Sequence, residues 1–125
     1  MPDEQIRFST HVLGPVAAFR LEEQKVTQTL RSESASVTDA VIHGRVIAGD
    51  HLLVFLDGIS IGKVEFISMD AIVWGALTIE DARRGGFDTM PDLKQALERA
   101  GYRFKPIDDY QFYRIQFTWL EKVPA

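Results

Sequence analysis

The chain contains no cysteine. Disulfide bridges, thiolate zinc sites, iron–sulfur clusters and cysteine nucleophiles are therefore excluded. Histidine is scarce. His11, His43 and His51 make no i, i+4 pair, the spacing at which a helix offers two imidazoles to one metal. No metal and no cofactor are expected. No run approaches the ~18 apolar residues of a membrane span, so no membrane partner is expected. The opening Met-Pro-Asp-Glu lacks a basic stretch followed by an apolar run. No secretory leader is expected, and the expected location is cytoplasmic.

Basic charge is also short. The 14 Lys and Arg against 18 Asp and Glu leave a net charge of −4, unlike a strongly basic nucleic-acid binder. The shortage is uneven, because residues 76–105 carry Arg83, Arg84, Lys94, Arg99, Arg103 and Lys105. These form either a local basic face or an ordinary solvated helix surface. The chain has 125 residues, 46% of them hydrophobic. That suits one domain over residues 1–125 with a core of its own, and it excludes intrinsic disorder.

Residues 5–9 read as a short strand. Gly14-Pro15 breaks the chain, and Pro15 suits the first turn of a helix reaching about Glu23. Residues 26–31 alternate with period two and are rich in β-branched side chains, which predicts a strand. Residues 32–48 begin rich in Ser, Thr and Asp and are expected to form a long loop with room for one short strand. His51–Leu56 and Ile59–Ser68 flank Asp57-Gly58, a strong hairpin signal, and Gly62 marks a bulge. Residues 71–74 extend the β region. Thr78-Ile79-Glu80-Asp81 opens a helix that Gly85-Gly86 ends. Thr89-Met90-Pro91-Asp92 opens another, with Leu93, Ala96, Leu97 and Ala100 as its buried stripe and Gly101 as its stop. From Tyr110 to Leu120, Tyr113, Ile115, Phe117 and Trp119 alternate with Arg114, Gln116 and Thr118, the pattern of a final strand. Long helices do not alternate with strands, so a doubly wound sheet is not expected. The order fits an α+β fold: a small mixed or antiparallel β-barrel with short helices at its mouth.

The densest polar group is Lys25-Val26-Thr27-Gln28-Thr29-Leu30-Arg31. On an extended strand Lys25, Thr27, Thr29 and Arg31 share one face at steps of roughly 6–7 Å. Two cations flanking two hydroxyls suit a phosphate or carboxylate. A lysine whose pKa burial has lowered can also activate a threonine hydroxyl. The plainer alternative is an exposed polar strand face. Arg114 is a candidate to stack on a base or meet a phosphate, or it is a solvated strand arginine. Trp74, Trp119 and Tyr113 are stacking candidates or core. Asp108-Asp109 read as loop charges.

A lysine, then threonine–any–arginine, then Gly-Asp before an apolar strand resembles the ASCH family of PUA-like barrels. Here these are Lys25, Thr29-Leu30-Arg31 and Gly49-Asp50. Glu80-Asp81-Ala82-Arg83-Arg84-Gly85-Gly86-Phe87, then Pro91-Asp92-Leu93, then Tyr110 and the last strand continue the family's order, over roughly residues 6–120. The resemblance implies a small barrel with a cleft beside the Lys/Thr/Arg strand, and RNA or a modified nucleoside or nucleotide as partner. Taken together with the polar strand face and the last strand, it gives Lys25, Thr27, Thr29, Arg31 and Arg114 as the expected ligand contacts.

One bacterial branch of the family removes the acetyl group of N4-acetylcytidine with a lysine, a threonine nucleophile and a glutamate. Thr29 matches the threonine. Lys25 lies one position further from it than the pattern has, and Val26 occupies the expected place. Gly86 falls where the glutamate would be, and Glu80 or Asp81 substitutes only if its helix turns inward. An RNA- or nucleotide-binding module is therefore the first expectation. The alternative is a small amidohydrolase on N4-acetylcytidine or a related acylated nucleoside, or a ribonuclease, with Thr29 and Lys25 as its catalytic residues. An interaction domain with a vestigial cleft is third.

Overall fold

The computed structural model describes residues 4–102 and 111–120. Its strands are β1 (Gln5–Phe8), β2 (Gln28–Arg31), β3 (His51–Leu56), β4 (Ile59–Val73) and β5 (Gln111–Trp119). Its helices are α1 (Thr10–Leu13), α2 (Pro15–Glu22), α3 (Ser36–Ile42), α4 (Ile79–Arg84) and α5 (Met90–Arg99), with one 3-10 turn at Trp74–Ala76. The strands form one sheet in the order β1-β3-β4-β5-β2. β1 runs parallel to β3, and the other pairings are antiparallel. The sheet curls into an open half-barrel flanked by short helices, as the α+β barrel expectation requires.

The hairpin turns at Asp57-Gly58, with φ of 51° and 81°. Positive φ at both central residues is the tight turn whose twist matches that of paired strands. The Asp57 side chain also accepts from the Thr10 backbone N–H at 2.9 Å and the Thr10 hydroxyl at 2.6 Å, tying the hairpin to α1. The register slips between Val54 and Phe55 so that Val54 faces Gly62 and Phe55 faces Ser60. Ile61 is the extra residue, and Gly62 beside it has φ 151°, the bulge expected there.

The segment 32–48 departs from its expectation as a loop. It holds α3, where Val37, Thr38 and Ala40 are buried. The Ser, Thr and Asp composition conceals an apolar stripe at helical spacing, and packing beneath β1 stabilises a helix that local propensity does not advertise. The short α1 before the Gly14 break was likewise not expected. The expected strand residue Tyr110, the basic Arg103 and Lys105, and Asp108-Asp109 lie outside the described residues.

The two faces of β5 serve two cores. Ile115 and Phe117 join Ile6, Leu52, Val54 and Val64 inside the half-barrel. Phe112, on the opposite face, joins Leu30, Ala82, Leu93 and Leu97 under α4 and α5. Removing a buried aromatic such as Phe112 costs about 3–5 kcal/mol, so the helical layer is fixed to the sheet. Thr89 accepts from the Asp92 backbone N–H at 3.1 Å and caps α5.

Candidate ligand cavity between the sheet edges

β1 and β2 are the two outer strands of the sheet, and a cavity of about 270 Å3 lies between them. Consecutive residues line it on both sides: Arg7, Phe8 and Ser9 from one edge, Gln28, Thr29, Leu30 and Arg31 from the other. Side chains alone alternate along a strand, so consecutive lining residues mean that backbone edges face the space. The ladder agrees. The Phe117 N–H donates to the Thr27 carbonyl at 3.0 Å, so alternation directs the main-chain groups of Thr29 and Arg31 to β5 and those of Gln28 and Leu30 into the gap. On β1 the carbonyls of Glu4 and Phe8 accept from Leu53 and Asp57. That turns Arg7 outward, and its carbonyl accepts from Arg31 Nη2 at 2.8 Å. The Arg31 side chain thus bridges the two edges. Leu13, Phe87, Leu93 and Leu97 from the helical layer supply apolar walls.

Among the described residues Arg31 makes only neutral contacts. Its Nε donates to Thr29 Oγ1 at 3.1 Å, Nη2 donates to the Arg7 carbonyl, and the guanidinium lies 4.8 Å from the centre of the Phe8 ring. No carboxylate pairs with it among the described residues. Burial lowers its pKa from the ordinary value, against an opposing influence of Tyr102. A guanidinium nevertheless stays charged.

Asp81 is the acid on the cavity wall, only 4% exposed. Its Oδ2 accepts from the Thr78 backbone N–H at 2.9 Å and the Thr78 hydroxyl at 3.2 Å, a capping box that starts α4. Its Oδ1 accepts from Gln28 Nε2 and Arg114 Nη1, each at 3.0 Å. Burial pushes its pKa up, but Thr78, Gln28 and Arg114 together outweigh that and hold the carboxyl below the usual carboxylate range. Gln28, 1% exposed, receives Gln116 Nε2 on its own oxygen at 3.1 Å. An anionic acceptor on one side and an amide donor on the other fix which way the Gln28 amide points.

The strand-face candidates separate in space. Thr29 and Arg31 line the cavity, whereas Lys25, Thr27 and Arg114 do not. β2 is regular only from Gln28. Before it, Gln24 has φ 59° and the Lys25 N–H closes on the Arg20 carbonyl at 2.9 Å, ending α2. The two-residue parity therefore does not reach back to Lys25, which is exposed. The Thr27 N–H donates to the Arg84 carbonyl at 2.8 Å and joins β2 to the end of α4. Arg114 donates to Asp70 at 2.6 and 3.0 Å and to Asp81, which raises its pKa, Asp70 contributing most. It buttresses the wall from behind. Trp119 donates to the Val26 carbonyl at 2.6 Å and packs on the barrel core. Sequence reasoning missed Gln28, yet its signal was present: a polar residue on the same strand face as Val26 and Leu30.

The positions departing from the deacetylase pattern meet in space. Gly86 has φ 95°, and a Cβ there would stand 3.0 Å from Val26 Cγ2 and 3.5 Å from the Ala17 Cβ. Its carbonyl accepts from Arg20 Nη1 at 3.0 Å. A side chain at Gly86 is opposed both by conformation and by space.

No protein-family model matches the sequence, and no curated protein matches it. Among solved structures, the chain resembles a protein of Enterococcus faecalis V583 from the DUF984 family model, at TM-score 0.64 and 12% identity, over 100% of this chain and 84% of that one. The shared feature is the curled half-barrel sheet with short helices at its flank. It also resembles an ASCH domain from Lactobacillus crispatus JV V101, at TM-score 0.60 and 14% identity, over 83% of this chain and 70% of that one. The fold is that of an ASCH domain. Identities this low establish a fold, and function has to be argued from the site.

Proposed function

We propose that the chain is an RNA- or nucleotide-binding module whose ligand enters the cavity between β1 and β2, with Thr29 and Arg31 as its principal contacts. The observation that carries this reading is Arg31, a partly buried cation in a largely apolar cavity with no acidic partner among the described residues. A charge withdrawn from water without a counter-charge is destabilising, and an anionic ligand group would offset that cost. Thr29 Oγ1 accepts from Arg31, which leaves its hydroxyl hydrogen to donate to a ligand. Lys25 and Thr27 stand outside the lining, so they enter this reading only as neighbours of the cavity.

Amide hydrolysis of N4-acetylcytidine, the alternative, has less support. Val26 and Gly86 form an apolar contact where that chemistry would have a lysine and a glutamate. Asp81 is near enough to be considered as a substitute acid, but four donors hold it ionised, so it has no proton to give at neutral pH. Thr29 meets a guanidinium rather than a base. One missing acid–base group costs about 10²–10⁴-fold in rate, and two acting as a unit need not cost the product.

The test is a deacetylation assay beside a ligand titration on the unaltered chain, Thr29→Ala and Arg31→Ala. Binding that Arg31→Ala abolishes, with no turnover in any variant, is the expected result. Fast turnover lost in Thr29→Ala would make the hydrolase reading primary. Neither activity with any nucleoside or RNA would leave the interaction-domain reading.

A further inference from the structure

We infer that the cavity takes a single nucleoside monophosphate unit, its phosphate on Arg31 and its base against the apolar walls, and that additional RNA on either side adds no affinity. This rests on the nucleotide reading above and narrows it to a ligand class.

Size comes first. Pockets for drug-sized ligands run from about 300 to 1,000 Å3, and this one measures about 270 Å3. It accommodates one small unit rather than a length of strand. Its walls suit a base, since Phe8, Phe87, Leu97 and Tyr102 present aromatic and aliphatic surface on which any base stacks.

Charge comes second. A protein that holds an RNA strand lays a track of available cations along a groove. Here three nearby arginines are already engaged by acids. Arg20 pairs with Asp88, Arg83 with Glu80, and Arg114 with Asp70 and Asp81. Arg7 also borders the cavity and has no acidic partner among the described residues, but its guanidinium lies over the Phe55 ring at 5.0 Å while its carbonyl accepts from Arg31. Lys25 and Arg84 have no acidic partner among the described residues, but neither lines the cavity. Among the described residues Arg31 is bonded through Nε and Nη2 only. Its Nη1 and the second hydrogen of Nη2 are the donors left for one phosphate, in the geometry a guanidinium uses for such groups.

The experiment is calorimetric titration of the whole chain with the four common ribonucleoside 5′-monophosphates, with uridine, cytidine, adenosine and guanosine, and with octauridylate, each at several salt concentrations. Arg31→Met and Arg31→Lys are run alongside, with circular dichroism to check their folding. At least one monophosphate should bind about ten- to hundred-fold tighter than its nucleoside, the range of a charge-assisted contact. Arg31→Met should erase that ratio, and Arg31→Lys should keep part of it. The monophosphate's affinity should fall only shallowly with salt, because a mononucleotide carries no condensed counterions to release and its one contact is merely screened. Octauridylate should bind no tighter per site than the monophosphate. Tight octauridylate binding with a slope of several would overturn the single-unit inference while leaving the RNA-binding reading intact. No binding by any of these probes would end both. Should Arg31→Met fail to fold, the salt slope and the octauridylate comparison on the unaltered chain still decide.

Discussion

Two of the charged residues that border the cavity are treated differently. Asp81 has a donor for each of its lone pairs, supplied by Thr78, Gln28 and Arg114. Arg31 has a hydroxyl, a carbonyl and an aromatic face, and no acid among the described residues. A buried charge with all its partners belongs to the scaffold, because the interactions that stabilise it are already made. One with neutral partners and donors to spare can still gain from a ligand. The contrast extends to Arg114, one strand away, whose donors Asp70 and Asp81 have already taken.

The comparison can be broken from the Asp81 side first, where the expected effect is largest. Asp81→Ala strips the α4 capping box and leaves Gln28 and Arg114 facing a void. The loss should be about 3 kcal/mol, the cost of breaking a buried pair, read from urea unfolding. Asp81 also predicts an acid dependence. Its folded pKa lies below its unfolded one, so its contribution is full above the unfolded value of about 3.9 and is lost as pH falls through the folded value. Asp81→Asn should therefore flatten the acid limb of the stability curve. An unchanged limb would show that Asp81 is not held as described.

Gly86→Ala comes next. A residue forced to φ 95° with its Cβ 3.0 Å from Val26 should cost about 2 kcal/mol. Val26→Ala in the same chain should recover the steric share but not the conformational one, so the two changes should be non-additive in a double-mutant cycle. Strict additivity would mean that the contact is not felt.

Arg114→Met should cost about 1–2 kcal/mol, because Asp81 keeps three of its four donors. It should leave ligand affinity nearly unchanged. Arg31→Met should have the smallest effect on unfolding, about 1 kcal/mol or less, together with the largest effect on binding. A reversal of these last two, with Arg114 governing affinity and Arg31 governing stability, would sink the division between scaffold and site.

Much of the fold could be read without coordinates, and for identifiable reasons. Asp-Gly between two apolar runs specifies a turn through φ alone. The alternation from Gln111 to Trp119 specifies a strand. Thr78 and Thr89 followed three residues later by Asp specify helix starts, and in each case the side chain and backbone that bond are local. The helix at Ser36–Ile42 was not legible, because its apolar residues are few and only their burial reveals the stripe.

The site was legible in part. Strand parity put Thr29 and Arg31 on one face, and both line the cavity, but parity does not extend back to Lys25, because Gln24 turns into the left-handed region and resets the direction of the chain. Asp81 reads as a helix cap from sequence, which it is. That its carboxylate also borders a cavity depends on α4 being drawn against β2 by the Thr27–Arg84 bond.

The sequence by itself determined the strands, the hairpin, the helix caps and the scarcity of basic charge, since each follows from neighbouring residues and backbone preference. Tertiary structure decided which cations keep donors for a ligand. Arg31 and Arg114 are the same residue type at similar strand positions. One faces a gap between two sheet edges, while the other faces two carboxylates that lie 44 and 33 residues away along the chain. No local pattern encodes that difference, because electrostatic partners are chosen by distance in space.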